Sequence, residues 1–142
     1  MAVRIAVVDG MGGGIGAQLV SRVKPMLRNG DELIALGVNA LATAAMLKVG
    51  ATVGATGENA ITFNITRVQL ILGPIGIVIP NSLYGEVTPI IATAIASTSA
   101  IKMLVPLAQP HFQLIGLESG SLNAILDELA SKVASWREKL NS

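Results

Sequence analysis

Charged side chains are scarce in this sequence. Asp, Glu, Lys and Arg make up 13% of its 142 residues, about half their share in an ordinary globular domain. Hydrophobic residues make up 51%, which excludes an intrinsically disordered chain, because such chains are poor in apolar residues. The net charge is +1 and no run of Lys or Arg occurs, so no feature predicts a nucleic-acid partner or an anionic membrane surface.

Cysteine is absent altogether, which excludes a disulfide scaffold and any metal site with cysteine ligands. Long apolar runs are also lacking. The longest uncharged stretch, Val68–Gly85, is interrupted by glycine and proline, whereas a membrane-spanning helix needs about 20 mainly apolar residues. We therefore expect a soluble, cytoplasmic protein, and its length predicts a single domain over residues 1–142.

Short apolar runs alternate with longer segments rich in Ala, Leu and Ile. The short runs predict strands at Val3–Val8, Leu33–Leu36, Leu70–Leu72, Met103–Val105 and Phe112–Gly116, with a brief sixth around Ala51–Val53. The longer segments predict helices at Ile15–Leu27, Ala40–Val49, Glu58–Ile65, Glu86–Ala100 and Leu122–Leu140. Continuous apolar strands are typical of parallel sheets buried on both faces. The pattern therefore predicts a three-layer, doubly wound α/β fold with a mainly parallel sheet.

The last of these helices has the clearest amphipathic pattern. Its apolar residues recur at helical spacing, and charged residues cover the opposite face. Trp136 falls on the apolar face, so we expect it to pack in the core. Ser119 or Ser121 is expected to cap the start of the helix.

The first predicted strand runs directly into a glycine-rich turn. Five glycines fall within seven positions, namely Gly10, Gly12, Gly13, Gly14 and Gly16. Glycine lets a ligand approach the backbone closely, and free N–H groups at a helix start attract a phosphate. Gly12, Gly14 and Ala17 fit the G-x-G-x-x-G/A dinucleotide fingerprint, whereas no Lys-Ser/Thr pair follows as in a Walker A loop. The turn, including Met11 and Ile15, therefore predicts nucleotide or NAD(P)-like binding; another anionic ligand, or a tight connection without a ligand, are the alternatives.

The same turn resembles the cofactor turn of the short-chain dehydrogenase/reductase family. Gly10, Gly14, Ile15 and Gly16 reproduce the family's spacing G-x-x-x-G-I-G over roughly the first forty residues. Asp9 stands where that family usually has Thr. The catalytic Tyr-x-x-x-Lys is missing, because Thr88 stands four residues after the single tyrosine, Tyr84.

The whole chain more closely resembles a small bacterial family of Rossmann-like proteins of unknown function. The resemblance rests on the stretches IAVVDGMGGGIG, IALGVNALATAAMLK, GATGENAI and GPIGIVIPNSLYGEVTP. It implies a Rossmann-like fold and nucleotide binding, but no reaction.

Polar residues follow the other predicted strands, where ligands bind in open α/β sheets. We expect Asn39, Asn59, Gly73, Asn81 and Ser82 to line the site. Asn39 lies where a dinucleotide-binding protein places its ribose-binding residue, and it equally fits the cap of the following helix.

Three carboxylates are the candidate catalytic groups: Asp9, Glu58 and Glu86. Glu58 and Glu86 are the only acidic residues between Leu33 and Leu117, and each follows a glycine at a predicted helix start. The three either converge on one cleft, as metal ligands or an acid/base pair, or favour separate helix starts through the helix dipole. His111, the only histidine, is expected to be structural or exposed.

The predicted middle helices carry almost no charge. Ala40–Val49 contains one charged residue, Lys48, and Val87–Ile101 contains none. A helix that is apolar all round is usually buried, so these segments predict the interface of a dimer or larger homo-oligomer, with a hetero-complex as the alternative. Three functions remain: a nucleotide-binding protein, an accessory or scaffold homo-oligomer without catalytic activity, and a small enzyme for a phosphorylated or carboxylated metabolite.

Overall fold

The computed structural model describes residues 1–117 and 120–140. Its five strands are Arg4–Asp9 (β1), Glu32–Gly37 (β2), Val53–Thr56 (β3), Leu70–Pro74 (β4) and Ile101–Val105 (β5). They form one sheet in the order β3-β2-β1-β4-β5. Every neighbouring pair is parallel. The predicted α/β fold with a parallel sheet is therefore confirmed.

The described residues contain five α-helices: Gly14–Val23 (α1), Ala40–Lys48 (α2), Glu58–Asn64 (α3), Pro89–Ser97 (α4) and Leu122–Lys139 (α5). They cover both faces of the sheet. Leu19, Met46 and Leu126 of α1, α2 and α5 belong to one core cluster. Ile61 of α3 and Ile91 of α4 belong to the other. Both clusters include alternate residues of β1, which explains why its sequence is continuously apolar.

Several predicted boundaries move. α1 ends at Val23 and a single 3-10 turn with Pro25 follows, Lys24–Met26. β3 lies a few residues beyond its predicted position. α4 begins at Pro89, because Thr88 caps it by accepting a hydrogen bond from the Ile91 N–H at 3.1 Å. Glu86 therefore precedes the helix instead of opening it.

The predicted strand Phe112–Gly116 is wrong. Residues 109–112 form a tight turn, in which the Phe112 N–H donates to the Gln109 carbonyl at 3.2 Å. Pro110 and the left-handed His111, with φ 67°, bend the chain there. Phe112 and Ile115 are exposed, so this apolar run is not a buried strand, and β5 lies at the edge of the sheet.

The last helix agrees with the sequence pattern. Trp136 packs against the core cluster that contains Leu126, which confirms the predicted packing role. Ser121 caps α5 by accepting from the Ala124 N–H at 3.1 Å; Ser119 lies outside the described residues. No helix in the described ranges is both long and apolar enough to cross a membrane.

Candidate functional site

The order of the strands marks one crevice. Chain order runs outward from β1 through β2 to β3, and then resumes at β4 on the other side of β1. Ligands of open α/β sheets bind at such a reversal, beyond the carboxyl ends of the strands. Here the glycine-rich turn, residues 10–16, follows β1, and residues 75–88 follow β4.

Close packing against α2 requires two of the glycines. Gly13, with φ 74°, precedes α1, and a Cβ there would lie 2.8 Å from Ala42 Cα. A Cβ at Gly16 would lie 2.6 Å from Met46 Sδ. Close packing of α1 on α2 therefore explains the glycines at positions 13 and 16 without a ligand.

Asp9 lies beneath the turn, with 4% of its surface exposed. Its Oδ1 accepts from the Gly10 N–H at 2.8 Å and its Oδ2 from the Gly16 N–H at 2.6 Å. Burial raises the pKa of Asp9; the two backbone hydrogen bonds oppose this, and the charge of Glu86 adds to it. The carboxylate thus anchors both ends of the turn.

Glu86 joins three loops. Its Oε1 accepts from the Met11 N–H at 2.6 Å, and its Oε2 accepts from Asn39 Nδ2 at 2.6 Å. Asn39 Nδ2 also donates to the Met11 carbonyl at 3.0 Å, and Asn39 Oδ1 accepts from the Ala42 N–H at 2.8 Å. Asn39 therefore caps α2, as one of its two interpretations predicted, and its amide is fully engaged.

Three amides of the turn remain available. The N–H groups of Gly12, Gly14 and Ile15 have no acceptor within the described ranges. A Cβ added at Gly12 or Gly14 would meet nothing within 4 Å. A cleft of about 310 Å³ lies over the turn, and Gln18, Pro74, Leu83 and Leu107 complete its walls. We call this cleft the glycine cradle.

Glu58 and Asn59 lie on α3. Glu58 Oε1 accepts from Thr88 Oγ1 at 2.6 Å, so the residue that caps α4, not the glycine-rich turn, engages this carboxylate. Asn59 is exposed. Of the three candidate carboxylates, the structure brings Asp9 and Glu86 to the turn. No group of three or more His, Asp or Glu in the described part of the chain could hold a metal ion.

The remaining candidates follow β4. Gly73 is buried, and a Cβ there would overlap the Val8 carbonyl oxygen, so it permits close packing of β4 on β1. Ser82 is buried and its Oγ donates to the Gly76 carbonyl. Asn81 is exposed and lines a second cavity of about 590 Å³ beside the turn.

Sequence reasoning missed the opposite wall of this second cavity, which Ala108, Gln109, Pro110, His111 and Phe112 form. The turn signals Pro110 and His111 were present in the sequence. Because a strand was predicted directly after them, this segment was not considered as a loop that lines a cavity.

The parallel sheet, its strand reversal and the glycine-rich turn after β1 define a Rossmann-like α/β protein. The chain belongs to the family described as Domain of unknown function (DUF3842), whose model matches residues 4–138. The expected relation to a family of unknown function is thereby confirmed. No curated protein matches the chain.

Proposed function

We propose that the protein binds a nucleotide, including dinucleotides of the NAD(P) kind, with a phosphate in the glycine cradle. The observation that carries this proposal is the set of three unengaged amides, Gly12, Gly14 and Ile15, at the start of the ten-residue helix α1. A phosphate there gains hydrogen bonds and the favourable end of the helix dipole. The position at the strand reversal supports the same conclusion.

Asp9 and Glu86 have positioning roles in this proposal. Together they accept hydrogen bonds from the amides of Gly10, Met11 and Gly16. This fixes the shape of the turn and leaves the intervening amides for a ligand. The alternative function, an enzyme for a phosphorylated or carboxylated metabolite, would use the same cradle. We assign no catalytic step to these carboxylates, because both already accept hydrogen bonds from the turn.

Thermal unfolding and titration calorimetry with AMP, ATP, NAD⁺ and sulfate test the proposal. A ligand at a hundred times its dissociation constant stabilises the fold by about 2.7 kcal/mol, which raises the unfolding temperature measurably. Gly14→Leu should abolish binding, because Gly14 lines the cradle and a Cβ there meets no protein atom within 4 Å, so we expect the larger side chain to take the space of the ligand. Gly120→Leu is the matched control, since a Cβ there also meets nothing within 4 Å. If no probe binds, or if Gly14→Leu binds as the wild type does, the proposal is wrong.

A second candidate function, a scaffold that self-associates, has its own supporting observation. α2, its C-cap residue Val49 and the adjacent edge strand β3 expose apolar side chains, those of Leu41, Leu47, Val49 and Val53. Leu41 is 67% exposed, and such a surface is typical of a homo-oligomer interface.

Light scattering after size-exclusion chromatography tests this second candidate. We expect a dimer or larger species for the wild type, and a shift toward monomer for Leu47→Lys. Leu114→Lys is the control, because Leu114 is similarly exposed and lies outside this surface. A wild-type monomer at micromolar concentration would contradict the scaffold function.

A further inference from the structure

The second cavity adjoins the glycine cradle. Met11 and Leu83 line both. Its volume of about 590 Å³ lies within the range typical of small-molecule sites. A ligand anchored in the cradle can therefore extend into it without leaving the crevice.

Backbone strain concentrates around this cavity. Within the described ranges, five residues other than glycine have positive φ, and every one of them lines it: Met11 (52°), Asn81 (65°), Leu83 (54°), Tyr84 (56°) and His111 (67°). Side chains disfavour this left-handed conformation, and such strain tends to cluster where a fold is shaped for a ligand. These residues come from the three loops that meet at the cavity, those after β1, β4 and β5.

The lining combines apolar surface with unengaged amides. Ile79, Pro80 and Phe112 supply apolar contacts. The side-chain amides of Asn81 and Gln109 make no hydrogen bond to any described residue. This combination suits a flat ring with donors and acceptors on its edge, which is the chemistry of a nucleobase.

The other side of the turn is poorly suited to the same group. Asn39, which lies after β2, already uses both amide hydrogens and its oxygen. Glu86 Oε2 accepts one of these hydrogens, so the polar groups there are engaged with one another.

We propose that the second cavity binds the base of a mononucleotide whose phosphate lies in the glycine cradle. The base then lies on the β4 side of the turn, not over β2. The position of the phosphate rests on the proposed function. The position of the base rests on the second cavity alone.

Calorimetry with AMP, GMP, CMP and UMP, compared with ribose 5-phosphate, tests the inference. Gln109→Ala and Asn81→Gly each remove one amide, and glycine relaxes the left-handed backbone at position 81. Loss of one hydrogen bond should weaken binding of at least one mononucleotide about fivefold to tenfold. Affinity for ribose 5-phosphate should not change. Gln113→Ala is the control, because Gln113 does not line the cavity.

The outcomes separate the two proposals. If Gly14→Leu abolishes binding of every phosphate ligand while the cavity variants weaken only mononucleotides, both proposals stand. If mononucleotide binding survives Gly14→Leu but falls in Gln109→Ala, the cradle proposal fails and the cavity proposal stands. Unchanged mononucleotide binding in both cavity variants, an equal loss for ribose 5-phosphate, or no binding by any mononucleotide overturns the inference.

Discussion

The Glu86 carboxylate accepts a hydrogen bond from the Met11 N–H at 2.6 Å, across 75 positions of sequence. This contact joins the loop after β4 to the glycine-rich turn after β1. The same carboxylate accepts from Asn39 after β2, so one side chain connects the carboxyl ends of three strands. The Glu86 carboxylate is therefore the acceptor for the Met11 N–H, an amide next to the proposed phosphate position.

Glu86→Gln should change stability and anion affinity in opposite directions. Glutamine keeps one acceptor, but its amide group would face Asn39 Nδ2, so we expect a loss of about 1 kcal/mol in the free energy of unfolding. Removing a negative charge beside the cradle should strengthen sulfate binding. Urea denaturation and calorimetry measure the two effects. Glu58→Gln is the control, because Glu58 is bound by Thr88; weaker sulfate binding by Glu86→Gln would contradict the prediction.

Sulfate affinity should rise as the pH falls. Burial raises the pKa of Asp9, against the hydrogen bonds from Gly16 and Gly10. Below its folded pKa, Asp9 is neutral and repels an anion in the cradle less. Sulfate keeps its charge between about pH 8 and pH 4, so a change in its affinity over this interval comes from ionisation of groups on the protein. Calorimetry measures this affinity at each pH. Asp9→Asn should make the dependence shallower; a flat profile in the wild type would refute the assignment.

The buried pair of Asp31 and Arg137 predicts a different pH dependence, that of stability. Arg137 Nε donates to Asp31 Oδ2 at 2.9 Å, and both side chains are almost fully buried. Burial alone would raise the pKa of Asp31. The hydrogen bonds from Arg137, Arg28 and Val3 outweigh it and lower the pKa from 3.8 to about 2.

Because the folded pKa of Asp31 is depressed, its stabilising contribution is complete above pH 3.8 and is lost as the pH falls toward about 2. Asp31→Asn should therefore lower the unfolding temperature at neutral pH by several degrees, and the difference from the wild type should shrink in that acidic interval. Glu32→Gln, in an exposed pair with Arg4 at 3.5 Å, should change stability by at most about 1 kcal/mol. A constant difference for Asp31→Asn at every pH would show that the charge is not responsible.

Replacement by alanine should change the free energy of unfolding much more at Gly13 than at Gly12. Gly13→Ala requires a left-handed alanine and places its Cβ 2.8 Å from Ala42 Cα, so we expect a loss of about 2 kcal/mol or more in the free energy of unfolding. Gly12→Ala meets no atom within 4 Å and should change stability by less than about 1 kcal/mol. Urea denaturation compares them, and equal losses would contradict the packing described for Gly13.

Local patterns predicted most of the fold. The apolar residues of β1 and the amphipathic spacing of α5 depend on neighbours within a few positions, so they can be interpreted without tertiary contacts. The strand predicted at Phe112–Gly116 failed because an exposed apolar segment and a buried strand look alike locally. The left-handed His111 that turns the chain is visible only in the structure.

The candidate site was predictable in part. The glycines and Asp9 are adjacent in sequence, and Asn39 has a local capping role that its position indicates. The convergence of Asp9, Glu58 and Glu86 depends on where separate loops meet. The structure brings Glu86 to the turn and gives Glu58 a partner in Thr88.

The scarcity of charge had two sequence-level explanations, a buried parallel sheet and a self-associating surface. Local sequence pattern was enough to predict the sheet, because unbroken apolar strands are typical of parallel sheets with helices on both faces. Which amides of the glycine-rich turn have an acceptor within the described residues could be seen only once the chain was folded. Those hydrogen bonds form between residues up to 75 positions apart, and their geometry is set by how the loops after β1, β2 and β4 meet.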